Sequence, residues 1–296
     1  MNEKESVPAE CPVYERDRRK YGSAEAYDDS LPAAVWNCLY PLLINLCVSQ
    51  LLVYTCIIAA SAISGGAVNT AEIYRENGLV LTAIADALMI PVFYYLLRSD
   101  DQKRRVFGLE EVRIPKKNGF NLSAFFLTAM FAPALNGTIE TVISAIPFRD
   151  SAYETVEQMM TSPSRPVQAA VVCVLAPLME ELLFRGLLFR RMRDRVGAIL
   201  GIALSSIVFG LAHGNLTQGL FAAAFGIFLA MLYEHYGTLA APLTAHFANN
   251  VFAVILEYSA PKLLSGSGLA YSILSFGLCV VFGTLIFRKN KPVNVV

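Results

Sequence analysis

Charged side chains are scarce in this chain. Only 16% of its 296 residues are charged and 55% are hydrophobic, whereas an ordinary soluble domain has roughly 25% charged and about 45–50% apolar residues. The few charges also cancel, since 24 lysines and arginines stand against 24 aspartates and glutamates. No basic field is therefore available to hold a nucleic-acid backbone. The composition excludes an ordinary water-soluble protein, and we expect no nucleic-acid partner.

Metal-binding and disulfide patterns are also missing. Six cysteines are present, and none of them stands in a CxxC or other metal-ligand spacing. Five lie inside apolar runs, where a cysteine behaves as a small hydrophobic residue. This pattern sets aside a disulfide framework and a zinc ribbon. An HExxH segment, which places two zinc-binding histidines and a general base on one helix, does not occur either.

The N-terminal segment, residues 1–31, has no apolar stretch of the kind that a signal peptide needs. It mixes acidic and basic residues, so we expect a polar, disordered cytoplasmic tail. A basic C-terminal tail is expected at 289–296. Residues 32–288 are predicted to form one membrane domain, within which 167–258 carry the motifs described below.

Long apolar runs are what the sequence has in abundance. A helix crosses a bilayer with about 20 mostly apolar residues, and eight runs have that character. Because each helix must hide its polar atoms against others, the predicted fold is an all-α, polytopic integral membrane bundle of about eight transmembrane helices. The predicted spans are Ala34–Ile63, Gly78–Leu97, Phe120–Ile146, Val167–Phe189, Gly197–His213, Leu216–Tyr236, Thr238–Tyr258 and Leu269–Phe287.

Basic residues follow the second, fourth and eighth spans. Cytoplasmic loops carry an excess of lysine and arginine, and with eight spans these stretches share one side if both termini are cytoplasmic. We predict that orientation, in the cell membrane. Between the third and fourth spans, residues 148–165 form either an amphipathic helix at the outer face or a plain connecting loop.

Three spans contain polar side chains that lipid would exclude, since an ionisable group at mid-bilayer costs on the order of 2.5–3.5 kcal/mol on insertion scales. In each span a polar residue stands four positions from another motif residue, and the two therefore share a helix face. The pairs are Glu181 with Arg185, Phe209 with His213, and His246 with Asn250.

Glu180 is the carboxylate that this spacing leaves over. Glu181 and Arg185 can neutralise each other, whereas Glu180 projects about 100° further around the helix, without a partner there. A carboxylate in low dielectric beside an imidazole can bind a water molecule and take its proton. A second imidazole and a carboxamide can stabilise the oxygen on which charge develops when that water attacks a carbonyl. These residue types indicate hydrolysis of an amide bond.

Two prolines precede the polar residues, Pro177 before Glu180 and Pro242 before His246. A proline inside a helix leaves a carbonyl unpaired and bends the axis. One expectation is that the two prolines kink their helices and widen a cavity around the polar residues. The other is that they have no such role, since proline is common in membrane helices.

The depth of His213 needs an explanation, because counting from the cytoplasmic ends places it farther across than Glu180 and His246. A fifth helix that is strongly tilted, or that begins outside the apolar zone, would place His213 at the depth of Glu180 and His246. A helix that ends inside the protein at Gly214-Asn215 would do the same.

The three motifs, in this order, resemble those of the intramembrane proteases of the CAAX prenyl endopeptidase type, also called the CPBP or Abi family. The similarity covers Val167 to Tyr258, and the first half of the chain carries no motif that we can use. It implies an eight-helix endopeptidase that uses no cofactor and cleaves a membrane-associated protein or peptide. A prenylated, CAAX-like protein that reaches the site from the membrane or the cytoplasm is one candidate substrate.

The resemblance also implies roles for individual residues. Glu180 and His213 would activate the water, and His246 and Asn250 would form the oxyanion site. The implied supporting residues are Glu181, Arg185 and Phe209.

Other functions stay open at this point. Glu180, His213 and His246 could instead be three ligands of a catalytic zinc ion with water in the fourth position. A transporter or a bacteriocin-immunity scaffold could use the same buried polar residues without catalysis. Asp86, a lone acid in the second span, is interpreted as structural.

Overall fold

The computed structural model describes residues 30–66, 69–107, 119–144, 151–161, 164–259 and 269–288. Every regular element in these ranges is a helix, so the predicted all-α class is confirmed. The predicted tails lie outside the described residues, apart from Ser30 and Leu31, where the first helix begins.

The N-terminal half forms three long helices, which are α1 (Leu31–Ser64), α2 (Thr70–Phe107) and α3 (Leu122–Ser144). The Ser30 hydroxyl caps α1 by accepting a hydrogen bond from the Ala33 amide at 3.4 Å. α2 is longer at both ends than the predicted span. The predicted span ends where charged residues interrupt the apolar run, whereas the helix continues through those residues.

A short helix, α4, spans Ser151–Thr161, so the helical alternative for residues 148–165 is the correct one. Met159 is 5% exposed and packs α4 onto α2. A Cβ atom on Gly78 would lie 2.4 Å from the Met159 Sδ atom, so a larger residue at position 78 would force the Met159 side chain to move. The position of α4 at the outer membrane face stays a prediction.

α5 and α6 follow each other without an intervening loop. α5 consists of Arg165–Ala170, π-helical Val171–Leu175, Ala176–Glu180 and π-helical Glu181–Phe189. α6 spans Arg190–Leu211 and is broken at Gly197, whose φ of 81° lies in the left-handed region that glycine tolerates. This break separates the predicted fourth and fifth spans.

The C-terminal part contains α7 (Leu216–Tyr236), α8 (Ala240–Ser259) and α9 (Leu269–Phe287). α7 and α9 have the predicted bounds, and α8 begins slightly later than predicted. The Asn215 side chain caps α7 by accepting the Gln218 amide at 2.8 Å.

Two apolar layers hold the bundle together. In one, α2 packs on α5 through the fully buried side chains of Phe93 and Leu187. In the other, α3, α7 and α9 meet around the stacked rings of Phe131 and Phe228, whose centroids are 4.1 Å apart. Lipid tails are as apolar as these side chains, so close packing rather than exclusion of water stabilises both layers.

Six described stretches are long and apolar enough to cross a membrane. One of them, Arg165–Leu211, contains both α5 and α6 and is divided at Gly197. α8 is not among the six, and its histidine and asparagines lower its mean hydropathy. The molecule is an integral membrane protein of the polytopic α-helical class.

Candidate active site

A buried ion pair anchors the polar run of α5. Arg185 Nη1 donates to Glu181 Oε1 at 2.9 Å, and both side chains are 2% exposed. The Arg185 guanidinium also donates to the Gly226 carbonyl of α7 at 3.3 Å and lies 4.3 Å from the centroid of the Phe209 ring. A buried guanidinium needs such partners in place of water. The pair expected from the spacing is formed, and it connects α5 to α6 and α7.

Glu181 has a second partner on α8. The Nδ1 atom of His246 lies 2.8 Å from Glu181 Oε1, so one carboxylate oxygen serves both Arg185 and His246. Because a carboxylate only accepts hydrogen bonds, Nδ1 carries the hydrogen and Nε2 is the nitrogen left for other partners. The imidazole is held further by the Phe225 and Phe209 rings, at centroid distances of 5.8 and 6.1 Å.

Glu180 lies near the second nitrogen of the same imidazole. Its Oε2 atom is 3.6 Å from Nε2 of His246, which is too long for a hydrogen bond but leaves both atoms within reach of one water molecule. Within the described ranges no hydrogen bond is made to the Glu180 carboxylate, and the side chain is 21% exposed. Of the two adjacent acids on α5, Glu180 is therefore the one that remains accessible.

Pro177 explains the local winding of α5 and the contact that Asn250 makes. The Ala176 amide bonds to the Val171 carbonyl, which is the i to i−5 register of a π-helix. In the same register the next acceptor is the Val172 carbonyl, and Pro177 has no N–H to offer it. Asn250 Nδ2 on α8 donates to this carbonyl instead, at 2.7 Å. The unpaired carbonyl expected near Pro177 thus serves as a contact between α5 and α8.

Pro242 does not kink a helix, and the expectation of a kink there is wrong. α8 begins at Ala240, so Pro242 lies in the first turn. Amides in that turn have no intrahelical partner in any case, and a proline is tolerated there. The predicted span begins at Thr238, which would place Pro242 deeper in the helix than it is.

His213 lies in the turn that follows α6. Its Nδ1 atom is 2.9 Å from the Phe209 carbonyl oxygen, which only accepts, so Nδ1 carries the hydrogen and Nε2 is an acceptor. The Phe209 ring contacts His213 at a centroid distance of 5.0 Å, and it also contacts His246. Within the described ranges no hydrogen bond or ion pair joins His213 to Glu180. His246 is the imidazole that lies directly against that acid.

A helix end accounts for the depth of His213. α6 ends before Gly214, whose φ is 72°, as the sequence Gly214-Asn215 predicts. After the break at Gly197, segment 198–211 is about 21 Å long, which is shorter than the roughly 30 Å of a hydrocarbon core. The turn that carries His213 would therefore lie within the apolar layer.

Two asparagines next to the site have no role assigned to them by the motifs. Asn249, on α8, is 4% exposed, and Asn136, on α3, is 6% exposed. Asn136 Nδ2 donates to Asn249 Oδ1 at 2.8 Å, and Asn249 Nδ2 donates to Asn250 Oδ1 at 3.1 Å. A lone polar residue in an apolar span, such as Asn136, is the signal that could have pointed to this connection.

Asp86 of α2 is a further acid close to the site. It is 2% exposed, and its Oδ2 atom has no hydrogen-bond partner among the described residues. A negative charge on Glu180 would repel one on Asp86. Two neighbouring acids in low dielectric resist being charged together, so Asp86 adds to a local excess of acid.

A metal site is not assembled in the part of the chain that the structure describes. No three histidine, cysteine, aspartate or glutamate side chains there are grouped in a way that could hold a metal ion. Glu180, His213 and His246, the three ligands of the zinc alternative, do not form such a group among these residues, and the choice between metal-free and zinc-dependent hydrolysis stays a prediction.

The fold and the polar cluster define a polytopic membrane protein in which α5, α6 and α8 bring acids, imidazoles and a carboxamide together. Residues 162–252, which contain all three motifs, match the family model described as Type II CAAX prenyl endopeptidase Rce1-like. The family resemblance predicted from the motifs is thereby confirmed over that part of the chain.

Relatives of the chain include two bacterial proteins. Over 158 residues the chain is 26% identical to "Putative membrane peptidase YdiL" of Bacillus subtilis (strain 168), a stretch that is 52% of this chain and 64% of that protein. Over 105 residues it is 28% identical to "Membrane-embedded CAAX protease MroQ" of Staphylococcus aureus (strain USA300), with coverage of 33% and 42%. The chain thus spans less than two thirds of either relative. No solved structure matches it.

Proposed function

We propose that this protein is an intramembrane endopeptidase that hydrolyses a peptide bond with a water molecule activated by Glu180. The observation that carries the proposal is the 3.6 Å separation of Glu180 Oε2 and His246 Nε2. The neighbouring Glu181 is already bound to Arg185 and His246, so Glu180 is the acid left for chemistry. The match of residues 162–252 to an endopeptidase family supports the same function.

In this mechanism Glu180 takes a proton from the water while His213 helps to hold it. Nε2 of His213 is an acceptor, because its Nδ1–H is used by the Phe209 carbonyl. A carboxylate and an acceptor imidazole can together bind both hydrogens of one water molecule. Catalytic hydrogen bonds often tighten only when substrate is bound, so the mechanism does not require a direct bond between His213 and Glu180 in the free protein.

His246 and Asn250 supply the donors for the carbonyl oxygen under attack. Nε2–H of a protonated His246 is held in place by Glu181 through Nδ1, and Asn250 offers its side-chain amide. As the water oxygen bonds to the carbonyl carbon, the negative charge on the carbonyl oxygen is met by these donors. When the carbon–nitrogen bond breaks, Glu180 returns its proton to the leaving amine.

The substrate and the setting are part of the same proposal. We expect a membrane-associated protein or peptide, with a prenylated CAAX-like chain as one candidate, in a cell membrane with both termini cytoplasmic. The orientation is supported by the position of the basic residues, since the Arg190–Asp101 pair (2.6 Å) brings the end of α2 beside the start of α6. Membrane lipid is the other expected partner.

The test is cleavage of a peptide library by the purified full-length protein in liposomes, with and without a chelator. The library includes a farnesylated peptide ending in a Cys-aliphatic-aliphatic-X sequence and the same peptide without the farnesyl group, and products are read by mass spectrometry. We expect cleavage that survives the chelator. Loss of cleavage on chelation, restored by zinc, would replace our mechanism with the metalloprotease. No cleavage of any peptide would favour the transporter or immunity scaffold.

A further inference from the structure

A chain of three asparagines crosses the bundle from α3 to α5. Asn136 Nδ2 donates to Asn249 Oδ1 (2.8 Å), Asn249 Nδ2 donates to Asn250 Oδ1 (3.1 Å), and Asn250 Nδ2 donates to the Val172 carbonyl (2.7 Å). The first two side chains are buried. Water therefore has little access to replace a lost bond at that end of the chain.

The direction of this chain is fixed by chemistry, since a backbone carbonyl can only accept. The Val172 carbonyl requires the NH₂ group of Asn250 to face it, which turns the Asn250 oxygen towards Asn249. Asn249 must then donate to that oxygen and present its own oxygen to Asn136. Asn136 completes the series by donating.

One hydrogen of the Asn250 side-chain amide remains available to the site. Its oxygen is taken by Asn249, and one of the two hydrogens on Nδ2 is taken by the Val172 carbonyl. The second hydrogen has no acceptor among the described residues. It is the donor that the proposed mechanism assigns to the developing oxyanion.

We propose that Asn136 is a positioning residue, which acts through Asn249 to hold the Asn250 carboxamide in the orientation that presents this second hydrogen. The proposal rests on the proposed function. Without the Asn136 donor, the hydrogen bond that holds the Asn249 oxygen towards α3 is lost. An amide flip at Asn249 would place two oxygens against each other and release Asn250 from its position.

The location of Asn136 suits such a role, because α3 is held tightly beside it. A Cβ atom on the next residue, Gly137, would lie 2.4 Å from the Ser275 hydroxyl oxygen and 2.7 Å from the Tyr271 hydroxyl oxygen of α9. This close approach fixes the α3 backbone against α9. Asn136 therefore donates from a rigid support.

The first test is a double-mutant cycle with the peptide that the wild-type protein cleaves best. Asn136→Leu, which has a similar volume and no donor, should lower kcat about 10-fold to 100-fold with little change in KM. In an Asn250→Ala background the same substitution should cost almost nothing, since its target is already gone. A residue that only stabilises the fold would lower activity in both backgrounds, and that result would overturn the proposal.

Thr138→Val is the matched control, because the Thr138 hydroxyl on the same helix bonds to the Ala134 carbonyl of its own turn (2.8 Å) and to Cys279 of α9, and not to the asparagine chain. It should leave kcat close to the wild-type value. If Asn136→Leu does not fold, Asn136→Ala takes its place in the cycle.

A second measurement needs no substrate. In ¹⁵N-asparagine-labelled protein in micelles, the side-chain NH₂ signals of Asn250, identified by their loss in Asn250→Ala, should move on Asn136→Leu. Unchanged signals would refute the positioning role even if no peptide is cleaved. If Glu180→Gln retains full turnover, the proposed function fails, and the NMR result still decides the role of Asn136.

Discussion

Two clusters of charged residues differ in how completely they are paired. At one end of the bundle, which we call the rim cluster, each arginine has its own carboxylate. The pairs are Arg190–Asp101 (2.6 Å), Arg191–Asp100 (2.6 Å), Arg193–Glu234 (2.7 Å) and Arg104–Asp194. In the site cluster, Glu180 and Glu181 share a single arginine, Arg185, and the imidazole of His246.

The difference separates structure from chemistry. Closed pairs in the rim cluster satisfy each charge and fix α2, α6 and α7 to one another. In the site cluster two glutamates face one arginine and one imidazole, and buried Asp86 adds a third acid. An unpaired acid in a low-dielectric bundle is costly to keep, and such groups are characteristic of functional sites.

The sharpest way to break this comparison is Glu180→Gln, which preserves size and removes the base. We expect about a 10⁴-fold loss of kcat with the protein still folded. Cleavage is measured with the preferred library peptide, and Glu76→Gln, at an exposed position of α2, is the control. Undiminished turnover of the purified Glu180→Gln protein would eliminate Glu180 as the base.

Arg185→Ala should have the next largest effect, on stability rather than on chemistry alone. It removes the only arginine bound to Glu181 in the described ranges and leaves a buried carboxylate with His246 as its remaining partner. Breaking such a pair costs about 3 kcal/mol, measured by denaturant unfolding in detergent. A combined Glu181→Gln and Arg185→Met change, which removes both charges, should recover part of the loss. Unchanged stability of Arg185→Ala would count against the pairing.

Asn250→Ala tests whether the carboxamide acts in the transition state. Removing one oxyanion donor should reduce kcat about 100-fold and change KM much less. Asn77→Ala is the matched control, since Asn77 is an exposed asparagine that bonds to the Ile73 carbonyl of its own helix. Equal kcat in wild type and Asn250→Ala would remove Asn250 from the mechanism.

Asp101→Asn, in the rim cluster, should have the smallest effect. The Asp101 side chain is 28% exposed, and a partly exposed pair contributes at most about 1 kcal/mol. We expect a small fall in Tm and wild-type turnover. A loss of turnover comparable to that of Glu180→Gln would show that the two clusters are not functionally distinct.

The sequence predicts the fold better than it predicts the contacts within it. The bounds of α7 and α9 follow from uninterrupted apolar runs, and the Glu181–Arg185 pair follows from helical spacing. The π-helical register around Pro177 leaves no periodic signal in so short a segment. The harmless position of Pro242 depends on where α8 begins, and helix ends are the least predictable feature of a sequence.

The relation between the motifs is likewise only partly readable from the sequence. Spacing places Glu180 and Glu181 on different faces, but it cannot show that both flank the His246 ring, because that contact joins helices far apart in the chain. The bond from Asn136 to Asn249 is invisible for the same reason.

The central claim is that, within a single site, Glu180 activates the water and His246 stabilises the oxygen of the carbonyl that this water attacks. A double-mutant cycle on kcat with Glu180→Gln and His246→Gln tests it most directly, since groups that act as a unit are strongly non-additive. The account predicts that the double variant is no slower than Glu180→Gln alone. Losses that multiply would contradict it, because the two residues would then contribute independently.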